Sequence, residues 1–207
     1  MKKVCVVGGG MNVGLAFRNA GFQLVDTHEE ADVVCFTGGE DVDPALYGEA
    51  NVHSYINKNR DAEEMKIFDA VKAKGTVMVG ICRGGQLLNV LSGGKMWQDV
   101  DMHGIGGTHE ISCSYTGEIY QVSSTHHQMM RPSDTGNILA TCSRSTYKED
   151  EVGIHMMGKD DRDVEVVFYP DTKSLCFQPH PEFFGPGHEC FDYFFRLIAD
   201  ILSGKLK

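Results

Sequence analysis

Thr76-Val77-Met78-Val79-Gly80-Ile81-Cys82-Arg83-Gly84-Gly85-Gln86-Leu87-Leu88-Asn89-Val90-Leu91 is the stretch on which the reading of this chain turns. Thr76–Ile81 is an apolar, β-branched run without polar alternation, the pattern of a strand covered on both faces. Gly84–Leu91 reads as a helix, stopped by Gly93-Gly94. Where strand meets helix stands G-x-C-x-G, the cysteine counterpart of the nucleophile elbow. The glycines two places either side of Cys82 are needed because side chains there would clash in so sharp a turn. The sulfur then sits at a helix start, where free N–H groups and the dipole favour negative charge. The Arg83 backbone N–H is placed to serve as an oxyanion donor. A merely structural cysteine in a tight turn competes with this reading until a partner is found.

Upstream, the same alternation repeats. Lys3–Val7 is a buried strand closed by Gly8-Gly9-Gly10, Asn12–Ala20 a short helix, Gln23–Asp26 a second strand and Asp32–Phe36 a third. Asp61–Lys74 is an amphipathic helix, with Met65, Ile67, Phe68 and Val71 on one face and Gly75 at its end. Apolar strands separated by helices predict an α/β fold, a three-layer sandwich around a mostly parallel central sheet. Downstream, His109–Tyr115, Glu118–Ser123, Asn137–Arg144, Val152–Met157, Val164–Tyr169 and Ser174–Gln178 are short strand-like runs with turn residues between them. They predict mixed or antiparallel strands extending the sheet. Glu189–Leu202 is a last helix, its core stripe carrying Phe191, Phe194, Phe195, Ile198 and Ile201 or Leu202. Without a repeat or a Pro/Ser linker, residues 1–207 read as a single domain.

The partner of Cys82 is Gln178-Pro179-His180-Pro181-Glu182, just after a strand. A cysteine nucleophile needs a base that also returns a proton to the leaving amine, and histidine suits neutral pH. In an extended segment residues two apart point the same way, so Glu182 is expected to orient His180. Cys82, His180 and Glu182 together predict a catalytic triad.

Composition narrows the field. The formal charge is −10, which repels phosphate backbones and argues against nucleic-acid binding. No run reaches the roughly 18 apolar residues of a membrane span, and the first apolar run is too short for a signal-peptide core; a cytoplasmic protein is expected. The seven cysteines lack any C-x-x-C pair, and five lie in apolar strand-like or helical surroundings that suit small buried hydrophobes.

With these residues in view, the sequence resembles the class I glutamine amidotransferase superfamily, a flavodoxin-like fold, and within it the γ-glutamyl hydrolase-like (peptidase C26) branch. Gly80-Ile-Cys82-Arg83-Gly84-x-Gln86-x-x-Asn89-Val90-x-x-Gly93-Gly94 with Gln98-Asp99 is similar to that branch's nucleophile region. Phe36-Thr37-Gly38-Gly39-Glu40-Asp41-Val42-Asp43-Pro44 resembles its glycine loop, Arg60-Asp61 with Glu64 its helix start, and Ser123-Ser124-x-His126-His127-Gln128 its Asn-Ser-x-His-His-Gln segment. The resemblance implies that Cys82 attacks a γ-glutamyl amide and forms a thioester. It implies that backbone N–H groups of Gly39 (or Gly38) and Arg83 form the oxyanion hole. It also implies that Gly38, Gln86 and His126 contact a small-molecule γ-glutamyl substrate, with no cofactor. Two departures, Gly85 in place of an apolar residue and Ser123 in place of Asn, bear on substrate identity.

Alternatives stay open. The chain is a stand-alone hydrolase, a glutaminase subunit feeding ammonia to a separate synthase, or a silent scaffold of the same fold. Gly8-x-Gly10-x-x-x-Gly14 with Asp26 mimics a dinucleotide-binding fingerprint, but its third glycine is one place late and a tight turn explains it. His103, His109, His126, His127 and His155 lack metal-ligand spacing, so no metal site is expected. Glu40, Asp41 and Asp43 would suit a cationic amine; a solvated acidic loop is the plainer account.

Overall fold

The structure is a computed structural model describing residues 1–207. Its first half runs β1 (Lys3–Val7), α1 (Met11–Asn19), β2 (Gln23–Leu24), β3 (Val33–Phe36), α2 (Lys58–Lys74), β4 (Val77–Ile81) and α3 (Arg83–Leu91). The strands β5 (Lys95–Trp97), β6 (Asp99–Val100), β7 (Gly107–Cys113), β8 (Ile119–Ser124) and β9 (Met129–Arg131) follow. Next come β10 (Asn137–Cys142), β11 (Tyr147–Asp150), β12 (Gly153–Met156), β13 (Asp163–Tyr169) and β14 (Ser174–Phe177), before the final helix α4 (Glu189–Leu202).

Nine of the strands form one sheet in the order β2-β1-β3-β4-β14-β13-β10-β7-β8. The first five are parallel and the remaining pairings antiparallel; β14 departs from a purely antiparallel reading of the second half, since it pairs parallel with β4 on one side and antiparallel with β13 on the other. Alternation along β3 sends Val33 and Cys35 into one core with Val13 and Phe17 of α1 and Phe194 and Ile198 of α4. Val34 and Phe36 enter a second core with Phe68 and Val71 of α2 and Leu87 and Leu88 of α3. Both faces of the sheet are therefore apolar, which is why its strands lack polar alternation.

The helix α2 departs from expectation. It starts at Lys58, with the Asn57 side chain accepting from the Arg60 N–H at 3.2 Å as N-cap. Its buried stripe is Asp61, Glu64, Phe68 and Val71, while Met65 and Ile67 are only half-buried. Two carboxylates occupy core positions because the buried Arg83 side chain pairs with both. The unexpected strands β5, β6, β9 and β11 are short or polar and exist through tertiary pairing in two small sheets, β12-β11-β6 and β5-β9.

Parallel pairing fixes the site. Phe36 lies opposite Gly80, and Ile81 opposite Phe177. The residues just beyond these three strands, Thr37-Gly38-Gly39, Cys82 and Gln178–His180, therefore leave adjacent carboxyl ends, where open α/β sheets place their ligands.

Candidate active site

Cys82 adopts φ 52°, a left-handed conformation uncommon outside glycine and the mark of a strained turn. The glycines around it have steric reasons. A Cβ on Gly80 would overlap the backbone of Gly84 and Gly85, and one on Gly84 would overlap the Phe36 carbonyl. A Cβ on Gly85 would stand 2.8 Å from the Phe177 N; the apolar residue expected there has no room between α3 and β14. Six of the seven cysteines are buried, and Cys82 alone is partly open.

His180 is brought to Cys82 by β14. A side chain on Gly38 would meet His180 Cε1 at 3.1 Å and Cys82 Cβ at 3.7 Å, so loop, thiol and imidazole enclose one small space. His180 Nδ1 bonds Glu182 Oε1 at 2.7 Å, leaving Nε2 as the nitrogen free for sulfur. The local reason differs from the extended segment expected. His180 caps a single 3₁₀ turn, Pro181–Phe183, which brings Glu182 back onto the ring. Pro181 starts that turn, where a missing N–H costs nothing. Burial would lower the His180 pKa; the Cys82 sulfur beside it, then Glu182, outweigh that and push it up to about 10. The Phe183 ring stacks on His180 at 4.5 Å, and Ser123 Oγ accepts the His180 backbone N–H at 2.7 Å. The departure from Asn at residue 123 thus keeps an acceptor for that N–H.

Opposite the thiol, Thr37-Gly38-Gly39 is held from behind by Arg60. Its Nη2 donates to the Thr37 and Gly38 carbonyls at 3.0 and 3.1 Å, its Nη1 to Glu40 at 3.0 Å and its Nε to Glu64 at 2.8 Å. Gly39 has φ 150°, and a side chain there would collide with Arg60. The Arg83 guanidinium turns away from the cleft into Asp61 and Glu64, so only its backbone N–H faces the elbow. This network ties α2, α3 and the glycine loop together. Sequence reasoning found its residues as a resemblance but not their role; carboxylates at helical spacing opposite an arginine were the available signal.

Other expectations resolve as follows. Gln86 and His126, expected to touch substrate, are both buried. The Gln86 amide donates to Gln178 Oε1 at 3.2 Å and toward the Gln128 carbonyl at 3.5 Å. His126 Nδ1 faces that same carbonyl at 3.0 Å, and its Nε2 lies 3.6 Å from Glu165. Glu40 is spent on Arg60, Asp41 accepts the Tyr55 N–H and Asp43 caps Ala45, so the acidic loop is internally partnered. Gly8 of the dinucleotide-like motif also has a local reason, since its Cβ would meet Arg60 at 2.5 Å and Thr37 Oγ1 at 2.6 Å. Gly8-Gly9-Gly10 forms one wall of a cleft of about 200 Å³ whose other wall includes Gly38, His180, Glu182 and Phe183.

The sequence profile of peptidase C26 matches residues 1–182. The chain belongs to the peptidase C26 family. A glutamine amidotransferase-like protein of Lactococcus lactis subsp. cremoris, provisionally so named, is 32% identical over 126 residues, 51% of this C26 chain and 66% of its own length. The alignments span about half to two thirds of the curated relatives. Among solved structures, a provisionally named GMP synthase component from Thermoplasma acidophilum aligns with TM-score 0.62 at 17% identity, over 99% of this chain and 96% of its own. A glutamine amidotransferase of Thermotoga maritima aligns with TM-score 0.59 at 13% identity, over 99% and 85%. At those identities the likeness is one of fold, that of the class I glutamine amidotransferases.

No helix of the chain is long and apolar enough to cross a membrane.

Proposed function

We propose that this protein cleaves a γ-glutamyl amide, glutamine or a γ-glutamyl amine, through a thioester on Cys82. The observation that carries the reading is a strained cysteine elbow paired with an imidazole whose far nitrogen is fixed by Glu182 at 2.7 Å. In this scheme the Cys82 thiolate attacks the γ-carbonyl carbon, and the oxyanion is met by the Arg83 and Gly39 N–H groups. The His180 imidazolium gives its Nε2 proton to the leaving nitrogen as the C–N bond breaks. Ammonia or an amine departs and the glutamyl thioester remains. Water then attacks the thioester while His180 takes its proton; the C–S bond breaks, glutamate leaves, and thiolate and imidazolium are restored. Glu182 keeps the imidazole in the tautomer and orientation that both steps need.

A second reading keeps this chemistry and assigns the ammonia to a separate synthase. It is favoured by the coverage of nearly the whole chain by a protein named as one component of a synthase.

The test is labelling with a glutamine-shaped chloroketone followed by peptide mass mapping. Cys82 alone is expected to carry the adduct, with release of glutamate from γ-glutamyl amides lost in step. Labelling spread over other cysteines, or full labelling with unchanged turnover, contradicts the assignment.

A further inference from the structure

The C-terminal half of the sheet buries a second group of ionisable side chains that the proposed reaction does not use. Glu165 on β13 is fully buried. Three imidazoles from the loops and strand beside it converge on its Oε1: His109 Nε2 at 3.0 Å, His103 Nδ1 at 3.3 Å and His126 Nε2 at 3.6 Å. Only His109 makes a hydrogen bond there. His103 Nδ1, His126 Nε2 and Glu165 Oε2 are buried and without a partner, although buried polar atoms are ordinarily satisfied. His109 Nδ1 is also unpartnered, but the ligand atoms that share one small volume are those of His103, His126 and Glu165, all within 4.8 Å of one another.

The far sides of these residues are equally telling. His103 Nε2 bonds Asp163 Oδ2 at 2.7 Å, and Asp163 is itself paired with Lys148 at 2.7 Å. His126 Nδ1 faces the Gln128 carbonyl, and Glu165 accepts from His109. The His103 and His126 imidazoles therefore each have an outer partner that fixes the ring's orientation and turns its unused nitrogen toward Glu165 Oε1, which His109 holds from a third side. Carboxylate or carbonyl oxygens behind imidazoles are how metal-binding histidines are ordinarily held. A tetrahedral ion with bonds of about 2.0 Å sets its ligand atoms about 3.3 Å apart, close to the 3.3 and 3.6 Å that separate the two imidazole nitrogens from Glu165 Oε1.

We propose that His103, His126 and Glu165 bind a divalent transition metal, zinc before the others, in the core between β7, β8 and β13. Two imidazole nitrogens and a carboxylate oxygen suit zinc. Glu165 Oε2 or a water takes the fourth position. The ion braces the sheet behind the catalytic groups: the Gln128 carbonyl that orients His126 also receives the Gln86 amide of the nucleophile helix. The site uses none of Cys82, His180 and Glu182, and the proposal does not rest on the thioester reading.

The experiment uses the full chain as Cys82→Ala, so that the cleft thiol cannot supply a ligand. The protein is produced with zinc, dialysed against a weak chelator and assayed for metal by mass spectrometry. Cobalt(II) is then exchanged in for electronic spectroscopy. One zinc per chain and the visible bands of tetrahedral cobalt, without a thiolate charge-transfer band, are expected. Asp163→Asn should weaken zinc binding by about 10–100-fold, and His103→Gln and His126→Gln should remove it. Less than a tenth of an equivalent of metal, or a thiolate band, overturns the proposal. Because the histidine variants remove buried groups and can fail to fold, the cobalt spectrum of folded Cys82→Ala decides alone.

Discussion

Two histidines of this chain are held in the same way and titrate in opposite directions. His180 bonds Glu182 at 2.7 Å and His103 bonds Asp163 at 2.7 Å. Yet the His180 pKa is pushed up to about 10, whereas that of His103 falls below its ordinary value. Burial opposes the charged ring in both. At His180 the sulfur on the other nitrogen, together with Glu182, outweighs burial. At His103, which has no exposed surface, burial is stronger than the help of Asp163 and Glu165, and His126 alongside opposes a second positive charge. A carboxylate behind an imidazole thus does not decide its protonation; what faces the second nitrogen does. The first setting suits the proton transfers proposed for His180, the second the lone pair proposed for His103.

The sharpest way to break this contrast is Cys82→Ala. Turnover is expected to fall about 10⁴-fold or more, because the members of the proposed triad would act as a unit. In the same protein the His180 pKa should drop from about 10 toward the ordinary range, followed by NMR of the ring protons. An unchanged value would mean that sulfur is not the group raising it. The next effect is on stability. Arg83→Met leaves Asp61 and Glu64 buried with one cation fewer, and urea unfolding should show a loss of about 3–5 kcal/mol. A loss near zero would show that Arg60 alone neutralises both.

How much of this was legible follows from what each residue does. The parallel half was readable because β1, β3 and β4 are apolar on both faces, a pattern that owes nothing to distant partners. Cys82, His180 and Glu182 were readable because tight geometry restricts which residues fit the elbow and the turn. Asp61 and Glu64 were not placed, since carboxylates at helical spacing ordinarily mark a solvated face and only the folded position of Arg83 reverses that. The convergence of His103, His109 and His126 on Glu165 was hidden for a related reason. The four lie on separate loops and strands, with no local spacing to betray them, and the pairing of β13 with β10 and of β10 with β7 assembles them.

A smaller effect separates the two carboxylates that hold histidines. Glu182→Gln removes one of the two contacts that raise the His180 pKa. A raised histidine pKa stabilises the fold fully below about 6.5, and that contribution disappears as pH climbs through about 10. The wild-type protein should therefore lose stability between these values, and Glu182→Gln should lose less over the same window in pH-dependent thermal unfolding. Its turnover should fall about 10²-fold, the low end of acid–base contributions. An identical stability profile in the two proteins would remove Glu182 from the account.

The smallest predicted effect divides the two sites at a single peptide. Ser123 Oγ accepts the His180 N–H at 2.7 Å, while the Ser124 hydroxyl donates to the His103 carbonyl at 2.8 Å. Successive residues of a strand point to opposite faces, so β8 holds one histidine on each side. Ser123→Ala and Ser124→Ala should each cost about 1 kcal/mol by urea unfolding, the usual net value of such a bond. Their catalytic consequences should part. Loss of the Ser123 anchor lets the His180 backbone shift relative to Cys82, and kcat should fall about tenfold, or about 1.4 kcal/mol, with KM little changed. Ser124→Ala loosens only the buried histidine cluster and should leave kcat close to wild type. If both substitutions slow turnover equally, the two sites are coupled through β8 and the division drawn between them fails.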